Sequence, residues 1–394
     1  VQASAQESGL IAHAQTGDDL ALAELAQMPF SNGNAVKLLV DGEATFNTIF
    51  EEIDAAREYI LIQFYIVKAD GLGNALKSRL VNKAAEGIRV YFLYDEIGCH
   101  KLPGSYIDEM RRAGIETSAF KTTQGKANRF QLNFRNHRKI VVIDGRTAFV
   151  GGHNVGDEYM GRGRRFGAWR DTHLMVKGPS ALAAQFSFLE DWFWAAGTVP
   201  EFNWAIESAP EGDKKVLVIS SGPADKLDTC GLMFVHAIHA ARHRIWIASP
   251  YFVPDLQVIG ALQLAALRGV DVRILLPEKA DHRLVYLASF SFYQKTLPVG
   301  IRIYRYQKGF MHQKAFLVDE SVSAVGTANL DNRSFRLNFE ITMLVNDRDF
   351  AAEVRGMLAA DFERSRLVTL DDFEKHSIFF KFASRFSRLF APIL

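Results

Sequence analysis

The chain has 394 residues, 48% hydrophobic and 23% charged, with 46 Lys and Arg against 45 Asp and Glu. That length calls for two domains, and the composition excludes a disordered chain. The even charge argues against a dedicated nucleic-acid binder, and two cysteines, Cys99 and Cys230, exclude a disulfide framework and fit a reducing compartment.

No apolar run is long enough to span a membrane, and no basic-then-apolar leader opens the chain. The first residue is Val1 rather than methionine, so a segment upstream of it is expected. Residues 1–35 read as a helical N-terminal extension. Residues 36–207 and 208–394 read as two copies of one α/β unit, divided at the polar, turn-rich SAPEGDKK (208–215). The first copy contains AAREYILIQFYIV (55–67) and then ALKSRLVNKAAEGIRVYFLYD (75–95). The second contains AARHRIWIASPYFVP (240–254) and then ALQLAALRGVDVRILLP (261–277). In each, a helix ending in Ala-Ala-Arg leads to a short apolar strand, a helix closing at Gly87 or Gly269, and another strand. The order repeats at near-constant offset. The expected fold is α/β: two duplicated lobes, each a mixed, mostly parallel sheet flanked by helices, related by a pseudo-twofold axis.

Each copy then carries one short motif: NHRKIVVIDG with His137, Lys139 and Asp144, and MHQKAFLVDE with His312, Lys314 and Asp319. His and Lys stand two apart at the mouth of a strand, so both project to one side. Two such pairs meeting at a pseudo-dyad suit phosphoryl transfer. The lysines neutralise a phosphate and its transition state. One His attacks phosphorus, and the other protonates the leaving oxygen and then deprotonates the incoming hydroxyl. This chemistry calls for no metal or cofactor. Duplication supplies one residue type in two roles, whose order the sequence does not fix.

An Asn follows each His at the same distance, Asn154 and Asn329, and its amide is suited to hold a phosphoryl oxygen. A carboxylate follows further on, Asp171 in WRDTH and Glu340 in NFEIT, able to fix the imidazole tautomer. The first copy has a small insertion there containing GRGRR (161–165), a solvated loop or a grip on lipid headgroups. Asp144 and Asp319 complete the catalytic motif. A carboxylate beside the phosphate would repel it, which favours a salt bridge or turn cap for these two. His239 and His243 have helical ligand spacing but no third ligand, so no metal site is expected.

The paired His-x-Lys-x4-Asp signature resembles the phospholipase D superfamily. NHRKIVVIDGRTAFVGGHNVGDEYMG, WRDTHLMVKGP and NLDNRSFRLNFE resemble bacterial cardiolipin synthases in particular, over about 36–394. The resemblance implies one site between the lobes and a phosphohistidine route. It implies a reaction joining two phosphatidylglycerol molecules to give cardiolipin and glycerol. It further implies transmembrane helices before the first lobe, and a place at the bacterial cytoplasmic membrane with the lobes on the cytoplasmic side. Carried over, His137 and His312 are nucleophile and acid/base, Lys139, Lys314, Asn154 and Asn329 bind phosphate, and Asp171 and Glu340 orient the histidines. His153 stands where related sequences have an apolar residue.

In the tail, Phe379, Phe382, Phe386 and Leu389 recur at helical steps while Lys381, Arg385 and Arg388 fall elsewhere on the helix. Such a basic, Phe-rich helix suits an anionic membrane surface, with packing on its own protein as the alternative. LVYLASFSFYQ (284–294) is a second candidate for a lipid entrance, and Trp192-Phe193-Trp194 is either core or an interfacial anchor. The expected partners are therefore phosphatidylglycerol and anionic membrane lipid, not nucleic acid. A lipid hydrolase, a metal-independent nuclease and a non-enzymatic lipid binder are the rival readings.

Overall fold

The computed structural model describes residues 11–12, 16–121 and 134–393. The first lobe runs α1 (Gly17–Ala26), β1 (Phe30–Val40), α2 (Asp41–Ala55), β2 (Tyr59–Phe64), α3 (Gly71–Ala85), β3 (Arg89–Asp95), α4 (Gly104–Arg112), β4 (Glu116–Phe120), β5 (Ile140–Ile143), β6 (Thr147–Gly151), β7 (Thr172–Lys177) and α5 (Pro179–Ala196). The second runs β8 (Lys214–Ser221), α6 (Thr229–Ala240), β9 (Arg244–Ala248), α7 (Leu256–Leu267), β10 (Asp271–Pro277), α8 (Arg283–Thr296), β11 (Arg302–Tyr306), β12 (Ala315–Val318), β13 (Val322–Gly326), β14 (Asn338–Asn346), α9 (Arg348–Glu363), β15 (Ser365–Leu367) and α10 (Ile378–Ser387).

The two sheets repeat strand for strand. The first has the order β4-β3-β2-β5-β6-β7-β1. The second has the order β11-β10-β9-β12-β13-β14-β8, with β15 added outside β11. Each sheet is parallel where helices cross over, through β2, β3 and β4 or β9, β10 and β11. It is antiparallel beyond, where turns and longer returns link the strands.

The continuous apolar strands follow from burial on both faces. Ile60, Ile62 and Phe64 of β2 point outward into a core under the first lobe's helices, while Tyr59 and Leu61 point inward. Ile245 and Ile247 of β9 face the second lobe's outer core, and Trp246 and Ala248 face inward. The inward side chains of both lobes form one cluster, joining Leu61, Val142, Val150 and Leu174 to Leu317, Val325 and Met343. That shared core fixes the lobes against each other.

The N-terminus differs from the expected extension. Part of it, 1–10 and 13–15, lies outside the described residues. Helix α1 is present, but strand β1 already begins at Phe30, so residue 35 falls inside a strand. Leu22, Ala26 and Phe30 pack with Met233 and Phe234 of α6, so this segment belongs to the second lobe's core.

Asp144 and Asp319 sit at the far end of β5 and β12 from the histidines. Each is in the left-handed region, with φ of 53° and 50°. The Asp144 carboxylate accepts from the backbone N–H groups of Arg57, Glu58 and Tyr59 at 2.8–2.9 Å. Asp319 does the same for Arg242, His243 and Arg244 at 2.7–2.9 Å. Each carboxylate thus staples the turn that feeds β2 or β9 to the motif strand beside it. We expect Asp144→Ala to lower unfolding free energy by about 3 kcal/mol, because it strands three donors, and Asp144→Asn to cost less. Urea denaturation checks this, and a loss under about 1 kcal/mol for the Ala variant would contradict the staple.

Candidate active site

The histidines reach the centre of the molecule through two short parallel pairings, made by three two-residue strands and the first two residues of β14. Arg135–Asn136 runs parallel to Asn338–Phe339, and the His137 N–H donates to Phe339 O at 2.9 Å. Phe310–Met311 runs parallel to Trp169–Arg170, and the His312 N–H donates to Arg170 O at 2.8 Å. The next residue on each receiving strand is the carboxylate, Glu340 or Asp171. Consequently the partners cross between lobes. His137 Nδ1 lies 2.9 Å from Glu340 Oε2, and His312 Nδ1 lies 2.8 Å from Asp171 Oδ2. With Nδ1–H donating to carboxylate, each ring keeps Nε2 for chemistry.

Further donors fix the carboxylates. Glu340 Oε1 accepts from Ser334 Oγ at 2.9 Å and Asn338 Nδ2 at 3.0 Å. Asp171 Oδ1 accepts from the Thr172 N–H at 2.9 Å. Gly152 packs so closely on Asp171 that a Cβ there would collide with the carboxylate. This position therefore has to be glycine.

Each lysine folds back over its own histidine. Lys139 Nζ donates to His137 O at 2.6 Å, and Lys314 Nζ to His312 O at 2.5 Å. Lys314 Nζ also lies 2.8 and 3.0 Å from the two ring nitrogens of His312. His137, His312 and Asn154 line one cavity of about 360 Å³. Asn154 Oδ1 accepts from the Ile66 N–H at 3.0 Å and its NH₂ group donates to the Tyr159 hydroxyl at 3.4 Å, which leaves one N–H for a ligand. Asn329 is buried, and its Oδ1 has no hydrogen-bond partner. Asp144 and Asp319 do not join this cluster, which corrects their place among the catalytic residues: their carboxylates are consumed by backbone donors.

Burial governs the electrostatics. Desolvation takes both imidazoles down to about 4, the lysines adding to it and the carboxylates opposing. Desolvation likewise lowers Lys139 to about 7 and Lys314 to about 8. Burial alone would raise Asp171, yet Lys314, His153 and His312 hold it well below the usual carboxylate range. Glu340 is lowered against burial by His137 and Lys139.

Sequence reasoning passed over Tyr65, Tyr251, Trp169 and Asp281 among the cavity residues, while it does single out the GRGRR loop and His153. Tyr65 and Tyr251 occupy equivalent positions after β2 and β9, and both line the cavity. The Tyr-x-Val shared by QFYIV and SPYFV was the available signal. The Trp169 ring lies 5.3 Å from the His312 ring, tilted by 51°, and donates from Nε1 to Asp171 Oδ2 at 3.4 Å. Arg164 and Arg165 of the GRGRR loop line the mouth, with Asp281 and His282. His153 and His173 form a buried pair, Nδ1 to Nδ1 at 3.2 Å, beside the site.

A duplicated α/β fold with both motif histidines on one cavity, each beside its own lysine, is that of a phospholipase D-like protein. The family described as "Cardiolipin synthase, PLD-like domain" matches residues 49–186 and 234–362. Cardiolipin synthase A of Pseudomonas putida strain W619 is 52% identical over 374 residues, covering 95% of this chain and 78% of that protein. The chain belongs to the cardiolipin synthase family of phospholipase D-like enzymes, which act by phosphatidyl transfer. Among solved structures, phosphatidylserine synthase of Haemophilus influenzae Rd KW20 shares the fold at a TM-score of 0.67 and 14% identity, covering 96% of this chain and all of that one. Polyphosphate kinase of Porphyromonas gingivalis does so at 0.55 and 14%, covering 82% of this chain and 50% of its own.

One imidazole must be neutral to attack and the other protonated to act as the acid, so for the free enzyme kcat/KM should be highest near pH 4, where the two forms coexist, and fall as the pH rises, more steeply once Lys139 and Lys314 lose their protons through about pH 7–8. A pH–rate profile checks this. A fall with no steepening up to pH 10 would show that the lysines keep their charge in the empty site.

Proposed function

We propose that this enzyme joins two phosphatidylglycerol molecules into cardiolipin and glycerol through a phosphatidyl-histidine. The observation that carries the reading is the crossed arrangement, with two buttressed imidazoles on one cavity. In the first step one Nε2 attacks phosphorus, a P–N bond forms, and the P–O bond to the headgroup breaks. The departing glycerol oxygen takes the proton of the other imidazolium. In the second step the hydroxyl of another phosphatidylglycerol gives its proton to that now neutral imidazole. Its oxygen attacks phosphorus, the P–N bond breaks, and the first His is restored. Lys139, Lys314 and the amides of Asn154 and Asn329 hold the phosphoryl oxygens, and Asp171 and Glu340 orient the rings. Water as acceptor would instead give phosphatidic acid, the outcome of the hydrolase reading.

The membrane reading rests on α10. Phe380 packs on Phe290 of α8 at 5.0 Å, and Ser384 and Ser387 are buried. The opposite face leaves Phe379 at 88%, Phe382 at 69% and Phe386 at 52% exposed. Packing on the protein and an apolar outer face therefore coexist. Helix α8, on which α10 lies, begins at the cavity mouth beside His282. Its middle, including Phe290 and Phe292, is buried, which leaves little of LVYLASFSFYQ for lipid contact. Trp192 is core, while Phe193 and Trp194 are exposed. No helix among the described residues is long and apolar enough to cross a membrane. We assign α10 to the surface of the bacterial cytoplasmic membrane, with the cavity mouth towards the lipid.

Purified enzyme with headgroup-labelled phosphatidylglycerol vesicles should release labelled glycerol and form cardiolipin, and His137→Ala and His312→Ala should each abolish both. Phosphatidic acid as the sole lipid product would overturn the transferase reading, and turnover in either variant would overturn the shared site. Separately, replacing Phe379, Phe382 and Phe386 together by Ser should cut co-sedimentation with anionic vesicles by about tenfold or more. Unchanged sedimentation would remove α10 from the lipid surface.

A further inference from the structure

The two lobes repeat the catalytic residues but not the groups facing the equivalent tyrosines. In the first lobe the Tyr65 hydroxyl is hydrogen-bonded to the Arg135 side chain, with Arg333 close by. In the second the Tyr251 hydroxyl donates to Asp281 Oδ2 at 2.5 Å. The Tyr65 hydroxyl thus faces two arginines as well as Asp95, whereas the Tyr251 hydroxyl bonds a carboxylate directly.

Asp281 is an odd residue for a phosphate site. It lines the cavity with both catalytic histidines, and its charge acts on His312 and Lys314. A carboxylate there repels a phosphodiester, so it needs another ligand. The other acidic side chain on the cavity, Glu158, is neutralised by Lys68 at 2.7 Å. Among the described residues the Asp281 carboxylate has one ion-pair partner, the exposed His282 ring at 3.9 Å, while Lys314 acts on it through space and Arg165 Nη2 donates to its backbone O at 3.4 Å. Its Oδ1 accepts from the His282 N–H at 2.7 Å and its Oδ2 from Tyr251, so the carboxylate is held still with acceptor capacity left over.

We propose that Asp281, positioned by Tyr251, accepts hydrogen bonds from the hydroxyls of a glycerol headgroup and makes the second-lobe wall the alcohol subsite of the reaction. This rests on the transferase reading above. A neutral diol suits the place better than an ammonium headgroup, because Lys314 and the Arg164 and Arg165 side chains already crowd it with positive charge. Gripping one hydroxyl of the acceptor aims the other at phosphorus and disfavours water, which makes no such paired contact.

The test is a competition between soluble acceptors, with phosphatidylglycerol vesicles as donor and labelled glycerol, 1-propanol or ethanolamine as acceptor. Wild-type enzyme should prefer glycerol over 1-propanol by about tenfold or more, and Asp281→Ala should erase that preference. Asp281→Asn, which keeps an acceptor oxygen, should restore part of it. Such ratios do not depend on the amount of folded enzyme. Tyr251→Phe should lower the cardiolipin to phosphatidic acid ratio by a smaller factor than Asp281→Ala. An equal glycerol preference in wild type and Asp281→Ala would overturn the subsite while leaving cardiolipin synthesis intact. A wild-type preference for ethanolamine over glycerol would overturn it in favour of a cation site. Absence of any alcohol transfer by wild type would remove the transferase reading itself, and the subsite with it.

Discussion

The structure depends on one interaction made twice: an imidazole from one lobe hydrogen-bonded to a carboxylate from the other. Neither lobe alone holds a complete His–carboxylate pair. The lobes must therefore be locked together before the site exists, which explains the continuous apolar core between the sheets. It also explains the two short parallel pairings, whose backbone bonds set each histidine opposite the carboxylate of the other lobe.

The same crossing balances charge in a buried place. Between about pH 4 and 7 the two ammonium groups and two carboxylates cancel, with both imidazoles uncharged. A phosphodiester brings one negative charge. That charge favours protonation of one imidazole, which is the proton the leaving group needs. In the proposed mechanism substrate and general acid thus arrive together, and neither charge is buried without a counterpart.

Much of this was legible in the sequence, for physical reasons. Strands buried on both faces leave apolar runs such as YILIQF, and duplication leaves repeats, so the α/β lobes and the His, Lys and carboxylate residues could be read. The crossing could not: nothing in WRDTH or NFEIT says which lobe's imidazole its carboxylate meets. The motif also mixes two jobs. The His lines the cavity and the Lys folds back on it, whereas Asp144 and Asp319 hold a turn together at the strand's other end, and constant spacing cannot separate chemistry from folding. Helix α1 shows the same limit. Its apolar Leu22 and Ala26 were visible, but their docking against α6 across the chain was not. Asp281 has no repeat counterpart, so a search guided by duplication passes over it.

That last point follows from the reaction. Duplication fits the steps two halves share, nucleophilic attack and proton relay, and at those residues the lobes agree. It does not fit a phosphatidyl group that must stay and an alcohol that must exchange, since these differ in charge and in solvent. The lobes part company where that difference is felt. Arg135 and Arg333 gather around Tyr65, and Asp281 meets Tyr251. The exposed aromatic helix α10 lies along α8, whose first turn adjoins Asp281 at the mouth. On the proposed reading, Asp281 and α10, both of the second lobe, put the exchange of alcohols and the approach of lipid on one side of an otherwise even-handed site.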